Sequence, residues 1–429
     1  MHLFQFCIYV LYIQFGFNEH ILFPYSIEKV FPKEELLNMA RKKLTVGQIG
    51  CGAFAQGQDF PNFAKNPQTE MKWCCDLSLD KAKSVAAKFA VPRATSNFMD
   101  VVNDPEVDLI KIATTHEIHL PIIEAAAAKG KHIFCEKPMA MEEIEAFKII
   151  SAVRKGGVKL CVDLNRRMSP SMHVLRDRWL KHKKNPAHQP WRYIETERAQ
   201  FPEEKQTQLL IRVQDESASY RIVHLDPLKG GGLIIGESVH WLDLACWFFA
   251  PQVPVEIKAW GSTRLSHGIN LTFSAGDTAT IIFNCGGTFD YPKELYEVTH
   301  NGALLRNICF VENEYYGISG LEKETFPLQH DSFTKVGTEG GFSGLMKKHM
   351  ARVKGLKSNS KTGHGSVAVD KGHENMLNSF VDAIIKDRPS PCDEISGYMA
   401  TYLAKLAIKS IETRMSLPVP IDKVQPCIV

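Results

Sequence analysis

A glycine-rich turn directly follows the first apolar run of the chain and has residue types suited to phosphate binding. The run covers residues 44–49, and the turn reads Gly50-Cys51-Gly52-Ala53-Phe54-Ala55. Gly50 permits a tight turn, Gly52 has no side chain to keep a phosphate away, and Ala55 lets a helix pack closely on the strand. The N-terminus of that helix supplies free N–H donors and a partial positive charge. The spacing predicts a pyrophosphate-binding turn for a dinucleotide.

An acidic residue ends the next apolar run, which covers residues 71–76 and predicts a second strand. At the end of such a strand, the carboxylate of Asp76 can accept hydrogen bonds from a ribose 2′-hydroxyl and would repel a 2′-phosphate. Lys81 and Lys83 follow on the predicted helix and soften that preference. We therefore expect NAD as the cofactor, with NADP as the alternative.

Two different patterns position these residues. Up to residue 165, strands alternate with helices, as in a doubly wound parallel sheet; the strands are predicted at 44–49, 71–76, 107–112, 132–135 and 158–162, and the helices at 80–90, 118–129 and 142–154. Beyond it, a helix at 236–249 precedes short alternating runs, which predict an open, mainly antiparallel sheet; the runs lie at 256–260, 270–274, 278–284 and 295–299. Residues 335–367 are predicted to be a surface loop, and helices at 373–386 and 394–412 close the chain.

Composition is that of a globular protein with more than one domain. The chain has 429 residues, of which 44% are hydrophobic and 23% charged, and its formal net charge of +3 gives no reason to expect a nucleic-acid partner. The eleven cysteines include no C-x-x-C pair, so reduced thiols in the cytoplasm are expected, without a metal site or disulfide framework. We divide the chain into an N-terminal extension (1–43), a dinucleotide-binding domain (44–165) and an α+β domain (166–429).

The N-terminal extension has a different character from the rest of the chain. Residues 1–17 are apolar and aromatic but lack a basic n-region and a small-residue cleavage site, and they are short for a membrane span. An appended leader is the preferred interpretation, with a membrane anchor as the alternative.

Four motifs together resemble one known family. They are Gly50-x-Gly52-x-x-Ala55; Ala113-Thr114-Thr115-His116 with His119; Glu136-Lys137-Pro138; and a late glycine run, 230–232, that leads to His240 and Asp243. This combination resembles the glucose–fructose oxidoreductase / inositol dehydrogenase / rhizopine-catabolism (Gfo/Idh/MocA) family. The resemblance covers about residues 43–421 and implies an α/β protein, with an N-terminal Rossmann domain followed by an α+β domain whose open sheet often mediates oligomerisation.

The resemblance also implies the reaction and the site. It implies an NAD(P)-dependent dehydrogenase that acts on a hydroxyl of a sugar, nucleotide sugar or cyclitol such as inositol. The expected cofactor-binding residues are Gly50, Gly52, Ala53, Phe54, Ala55, Asp76, Thr114, Thr115, His119, Glu136 and Lys137. The expected substrate-binding residues are Arg166, Glu237, His240 and Asp243, with Lys137 and His240 catalytic.

The chemistry of the two catalytic candidates follows from their types and positions. Lys137 ends a strand of the parallel sheet, beside the crevice where such folds bind ligands, and its ammonium can stabilise a developing alkoxide. His240 shares a helix with Glu237 and Asp243 at spacings of three residues, which places neighbouring members on one face. A histidine has a suitable pKa to accept the hydroxyl proton, and Asp243 or Glu237 would orient it or bind substrate hydroxyls.

The late motif departs from the family's commonest form. An aspartate often stands four residues before the histidine, where this chain has Gly236, and Glu237 follows one residue later. Arg166 is open to two interpretations, as a substrate ligand or as a structural ion-pair partner at a domain junction. His119 likewise would either approach the cofactor or cap its own helix.

Two functions of other classes remain as alternatives. Some relatives use bound NAD in a redox elimination that cleaves glycosidic bonds, and another kept the fold as a dinucleotide-sensing regulator without catalysis. The presence of both Lys137 and His240 favours the dehydrogenase. Apolar runs such as 280–283 in an open sheet further predict a homo-oligomer, a dimer or a tetramer, that covers the exposed face. The expected partner is a small molecule, and no membrane association is expected.

Overall fold

The first sheet of the protein is parallel and has six strands. A computed structural model describes residues 43–187, 206–216, 222–288, 292–328, 340–355 and 369–420. The strands are β1 (Leu44–Ile49), β2 (Thr69–Cys75), β3 (Arg93–Thr95), β4 (Leu109–Ile112), β5 (His132–Cys135) and β6 (Leu160–Val162). Their order in the sheet is β3-β2-β1-β4-β5-β6, and every neighbouring pair is parallel. This is the strand order of a dinucleotide-binding doubly wound sheet.

Helices connect these strands. They are α1 (Phe60–Lys65), α2 (Leu79–Phe89), α3 (Phe98–Asn103), α4 (His119–Ala128) and α5 (Glu143–Gly156). A wide turn, Ala55–Asp59, precedes α1, and a short 3-10 turn, His116–Ile118, precedes α4. Ser78 caps α2 by accepting a hydrogen bond from the backbone N–H of Lys81, which explains why that helix begins where β2 ends.

The second sheet has nine strands and is mainly antiparallel. They are β7 (Gln208–Gln214), β8 (Pro254–Gly261), β9 (His267–Phe273), β10 (Thr278–Asn284), β11 (Glu294–His300), β12 (Ala303–Ile308), β13 (Glu312–Tyr316), β14 (Glu324–Thr325) and β15 (Leu417–Pro418). Their order is β14-β13-β12-β11-β7-β10-β9-β8-β15, and the pair of β10 with β7 is parallel. The predicted α/β class, a parallel Rossmann sheet followed by a mainly antiparallel one, is confirmed.

Six helices accompany the second sheet in the described part of the chain. They are α6 (Pro170–Lys184), α7 (Ile222–Leu225), α8 (Val239–Phe249), α9 (Gly341–Gly355), α10 (His373–Ile385) and α11 (Glu394–Thr413). The long helix α11 contacts both α5 and β8, so it joins the layers of the two sheets. One continuous apolar core runs through both regions. None of the helices in the described residues has the length and apolar character needed to cross a bilayer.

The prediction of a surface loop at residues 335–367 is wrong for the part that the structure describes, because Gly341–Gly355 form α9. Leu345 of this helix is buried in a small apolar cluster with Val311 and Leu328. The helix thus forms through tertiary packing, although its sequence is rich in glycine and lysine. The rest of that segment, and residues 1–42 of the predicted extension, lie outside the described residues.

Candidate active site

The glycine turn leaves room for a ligand above its backbone. Gly50 has φ +95°, and a Cβ there would lie 2.2 Å from the carbonyl oxygen of Ala113, so only glycine fits between β1 and β4. A Cβ on Gly52 would meet nothing within 4 Å, which means that it would project into open space. Ala53 and Phe54 are exposed on the same turn, whereas Ala55 is fully buried beneath it. The turn therefore fits the cradle expected for a pyrophosphate.

Asp76 ties the end of β2 to this turn. Its carboxylate accepts hydrogen bonds from the backbone N–H groups of Cys51 (3.1 Å) and Ser78 (3.1 Å), and Lys81 Nζ lies 2.8 Å from it. Although burial opposes ionisation, the hydrogen bond from Lys81 and the backbone donors lower the pKa of Asp76. The carboxylate is thus ionised at neutral pH at the place expected for the ribose.

The segment after β4 supplies two threonines and the buried His119. Thr114 is half-buried and Thr115 is exposed, and the Thr115 hydroxyl donates to Glu117. The fully buried His119 donates from Nδ1 to the Pro138 carbonyl (2.9 Å), and burial lowers its pKa to about 4. This hydrogen bond attaches the His119 side chain to the segment that carries Lys137. The predicted cofactor contact of His119 stays a prediction.

A buried ionic cluster underlies the carboxyl ends of the parallel strands and was missed in the sequence. Lys111 Nζ lies 2.6 Å from Glu136, 3.3 Å from Asp59 and 3.9 Å from Asp163. Burial raises the pKa of both Asp59 and Glu136, while His373 and Lys111 lower that of Asp163 to about 2 against the effect of burial. The signal that could have revealed this cluster is a lysine inside the apolar run of β4.

Lys137 and Glu237, which belong to different regions of the sequence, are brought together. Lys137 Nζ donates to the Gly236 carbonyl oxygen (2.6 Å) and to Glu237 Oε1 (2.9 Å). Glu237 lies in the wide turn Ile234–Ser238 that leads into α8. Burial opposes its ionisation, but Lys137 and other nearby cations lower the pKa of Glu237 to about 2. This pair places the ammonium of Lys137 against the second region.

His240 lies near this pair on the first turn of α8. Its side chain is almost completely buried, with 5% exposed, and Nδ1 has no hydrogen-bond partner among the described residues. Burial, together with the charges of Arg166, Lys137, His373 and Lys371, lowers the pKa of His240 well below its usual range. The imidazole is therefore neutral at physiological pH and can accept a proton.

Two predicted substrate ligands are engaged in buried ion pairs. Arg166 donates from Nε and Nη2 to Glu294 at 2.9 and 3.0 Å, and its guanidinium lies over the Trp241 ring. Asp243 accepts two hydrogen bonds from Arg167, one of them at 3.0 Å from Nε. The structural interpretation of Arg166 therefore agrees with its contacts, and Asp243 is bonded to Arg167 instead of orienting His240 at Nδ1.

Further residues of this region were not foreseen from the sequence. His373, at the start of α10, lies 3.3 Å from Asp163 through Nδ1, and its ring makes an edge contact with Phe54 at 5.5 Å between centroids. Asn165 donates to the other ring nitrogen of His373 at 3.2 Å. These contacts connect the C-terminal helices to the glycine turn. Nothing in the local pattern around His373 indicates them, because they depend on the fold.

Comparisons with known proteins agree with this architecture. Residues 44–164 match the family described as "Oxidoreductase family, NAD-binding Rossmann fold". The chain is 35% identical over 389 residues to the uncharacterized oxidoreductase YrbE of Bacillus subtilis (strain 168), covering 89% of this chain and 97% of that protein. It is 34% identical over 139 residues to the levoglucosan dehydrogenase of Pseudarthrobacter phenanthrenivorans, covering 30% of this chain and 35% of that one.

A solved structure shares the whole fold. The levoglucosan dehydrogenase in complex with NADH and levoglucosan superimposes with a TM-score of 0.68 over 88% of this chain and 100% of that chain. Their sequence identity is 17%, so this similarity concerns the fold.

Proposed function

Because the chain belongs to the Gfo/Idh/MocA family of oxidoreductases with an NAD-binding Rossmann fold, we propose that it acts on a hydroxyl-bearing carbon of a sugar, nucleotide sugar or cyclitol. Family membership makes it a nicotinamide-dependent dehydrogenase. The observation that carries the finer proposal is the ion pair of Lys137 with Glu237 within electrostatic range of a neutral His240. The match to part of a levoglucosan dehydrogenase supports a sugar-type substrate.

The glycine turn and Asp76 fit the cofactor. Gly52 opens the space that a pyrophosphate needs, and the ionised Asp76 suits a free ribose 2′-hydroxyl. Bound NAD would supply the hydride acceptor for the oxidation of the substrate carbon. The remaining steps belong to side chains of this chain.

Lys137 and His240 have different roles at the substrate oxygen. Lys137 Nζ donates a hydrogen bond to that oxygen and stabilises its negative charge as the hydroxyl proton leaves. The neutral imidazole of His240 takes that proton. In the reverse direction the imidazolium returns it, and the lysine polarises the carbonyl. Glu237 holds Lys137 in position through their ion pair.

A substrate panel with two variants tests this proposal. Sugars, nucleotide sugars and cyclitols are incubated with NAD while the absorbance of the reduced nicotinamide is followed. Lys137→Met and His240→Ala should each lower kcat by about 10²–10⁴-fold while leaving NAD affinity nearly unchanged. Near wild-type turnover in both variants would show that the reaction takes place elsewhere.

We also propose that the protein forms a homo-oligomer through the second sheet. Trp260 and Ile282 are 47% and 41% exposed, and both lie opposite Gly268 in the pairing of β8, β9 and β10. They therefore stand side by side on one face of the sheet, where a second copy would cover them. Light scattering should give a multiple of the monomer mass that Trp260→Lys with Ile282→Lys reduces. A monomer mass for the wild type would refute the proposal.

A further inference from the structure

Two cationic side chains on the substrate side share one carboxylate. Arg166 makes its bidentate pair with Glu294, and Lys371 Nζ lies 3.1 Å from the Oε1 atom of the same residue. Among the described residues, Glu294 is the carboxylate that lies within ion-pair distance of Lys371. Lys371 is mostly buried, with 13% of its side chain exposed.

The shared carboxylate has many other donors. Glu294 Oε2 accepts from Trp241 Nε1 (3.0 Å) and from the Tyr296 hydroxyl (2.5 Å), in addition to Arg166 Nε. The two carboxylate oxygens of Glu294 thus contact donor groups of four side chains. Lys371 shares its oxygen with Arg166 and keeps two further N–H donors for other acceptors.

Three other ion pairs on the substrate side each join one cation to one carboxylate. Lys137 pairs with Glu237, Arg167 with Asp243, and Lys293 with Asp215. Arg166 and Lys371 together face the single charge of Glu294, so these described side chains carry one positive charge in excess. An excess charge in a buried place is unfavourable unless an anion compensates it.

Lys371 lies within electrostatic range of the proposed proton acceptor. Its charge contributes to the lowered pKa of His240. It lies two residues before His373, whose ring contacts Phe54 of the glycine turn. The excess charge therefore acts on the same region of the protein as the proposed proton acceptor.

We propose, on the basis of the function proposed above, that the substrate is a sugar acid whose carboxylate binds Lys371. One carboxylate balances the excess charge, whereas a neutral sugar leaves it uncompensated and a phosphate dianion exceeds it. The Lys371 ammonium and the carboxylate then form a charge-assisted hydrogen bond in a poorly hydrated environment. The alcohol that is oxidised is a separate hydroxyl of the same molecule, placed at Lys137 and His240.

The electrostatic surroundings of Lys371 agree with an anionic ligand. Burial is the largest influence and lowers its pKa, and the neighbouring Lys293 and Arg166 lower it further, while Glu294 acts in the opposite direction. A carboxylate bound at Nζ adds the opposite charge that this group lacks. Binding is thus coupled to the protonated form of Lys371.

The test compares matched pairs of acid and neutral sugar. D-Glucuronate and D-galacturonate are compared with D-glucose and D-galactose, and D-glucose 6-phosphate serves as the phosphate arm. For each we measure kcat/KM with NAD, and calorimetric binding to the NAD-loaded protein. We expect at least one uronate to exceed its neutral parent by about tenfold or more, the effect of one added charge contact.

Variants of the lysine then localise the effect. Lys371→Met should remove the preference for the acid without changing the weak binding of the neutral sugar, and Lys371→Arg should retain most of it. Lys409→Met, which removes an exposed lysine from α11, is the matched control and should behave as the wild type. Equal binding of acid and neutral sugar, or an unchanged preference in Lys371→Met, would overturn the proposal. Preference for the phosphate ester alone would reject the carboxylate.

The two proposals fail in different ways. If none of the compounds is oxidised, the dehydrogenase proposal fails for this panel, while calorimetry with D-glucuronate still decides whether Lys371 selects a carboxylate. If neutral sugars are oxidised faster than the uronates, the reaction proposed above stands and the charge-based assignment of the substrate is wrong.

Discussion

The two halves of the candidate site are built in different ways. On the cofactor side, Gly50 and Gly52 form a cradle of backbone atoms at the end of β1, and a side chain at Gly52 would meet open space. On the substrate side, buried charges from distant segments hold one another, as in the contacts of Arg166 and Lys371 with Glu294. In the first half, we therefore expect cofactor binding to be separable from folding. In the second half, the groups that would bind the substrate also stabilise the fold.

The largest effect is expected for Glu294→Gln. The change leaves Arg166 and Lys371 buried without their shared carboxylate, and breaking one side of a buried ion pair typically costs about 3–5 kcal/mol of unfolding free energy. Urea unfolding measures this loss. Lys181→Met removes a pair with Asp177 on the exposed surface of α6 and should cost at most about 0.5 kcal/mol. Equal losses in the two variants would contradict the distinction between the halves.

Gly52→Val should break the cofactor half without unfolding the protein. Its side chain would occupy the space above the turn, so we expect the Kd for NAD to rise at least about 100-fold, or about 2.7 kcal/mol. The free energy of unfolding should stay close to that of the wild type. Gly57→Val is the matched control, because a Cβ at Gly57 also meets nothing within 4 Å but lies past the turn. Retained NAD affinity in Gly52→Val would contradict the proposal that the glycine turn binds the pyrophosphate.

Asp76→Ser should change cofactor choice by a smaller amount. The wild type is expected to prefer NAD, because Asp76 is ionised and would repel a 2′-phosphate. In the variant, Lys81 loses its partner and becomes available to that phosphate. The ratio of NADP to NAD affinity, measured by calorimetry, should rise about tenfold, the equivalent of about 1.4 kcal/mol. Asp80→Ser changes an exposed residue on α2, the helix that carries Lys81, and should leave the ratio unaltered.

The last expected effect is a change in the pH dependence of stability at His119. Burial lowers the pKa of His119 to about 4, below the value of about 6.5 for an unfolded histidine. Between these values the unfolded chain binds a proton that the folded chain does not, so this residue makes stability fall as pH falls. His119→Gln should flatten the pH dependence of the unfolding free energy from pH 6.5 to 4, by up to about 1.4 kcal/mol per pH unit. An unchanged slope would show that His119 is protonated in the folded protein.

Local patterns predicted the cofactor half because its parts are close together in the sequence. The glycine turn follows β1 directly, Asp76 directly follows β2, and Lys137 lies two residues after β5, so strand ends alone place these residues at one edge of the sheet. The alternation of strands and helices predicted the parallel sheet, although the short strand β3 was not among the predicted strands. In this half, the short-range sequence determines both the fold and the site.

The substrate half depends on contacts between distant residues. Arg166 and Glu294 are separated by 128 positions, and no periodicity links them. Lys111 in the apolar run of β4 resembled an ordinary strand residue. Its partners come from the wide turn before α1 and from the residues that follow β5 and β6. Helix α9 was missed for the same reason, since the apolar partners of Leu345, Val311 and Leu328, lie outside the helix and earlier in the chain. Such pairings become visible only in three dimensions.

The two hydrogen bonds of Lys137 limit which part of a polyol can react. An ammonium has three N–H donors, and the Gly236 carbonyl and Glu237 accept two of them. A single N–H donor therefore remains for the reacting oxygen in the proposed reaction. A molecule with several similar hydroxyls would have to place one particular hydroxyl at that donor. If Lys137 acts as proposed, its pairing would therefore favour oxidation at one hydroxyl over the others.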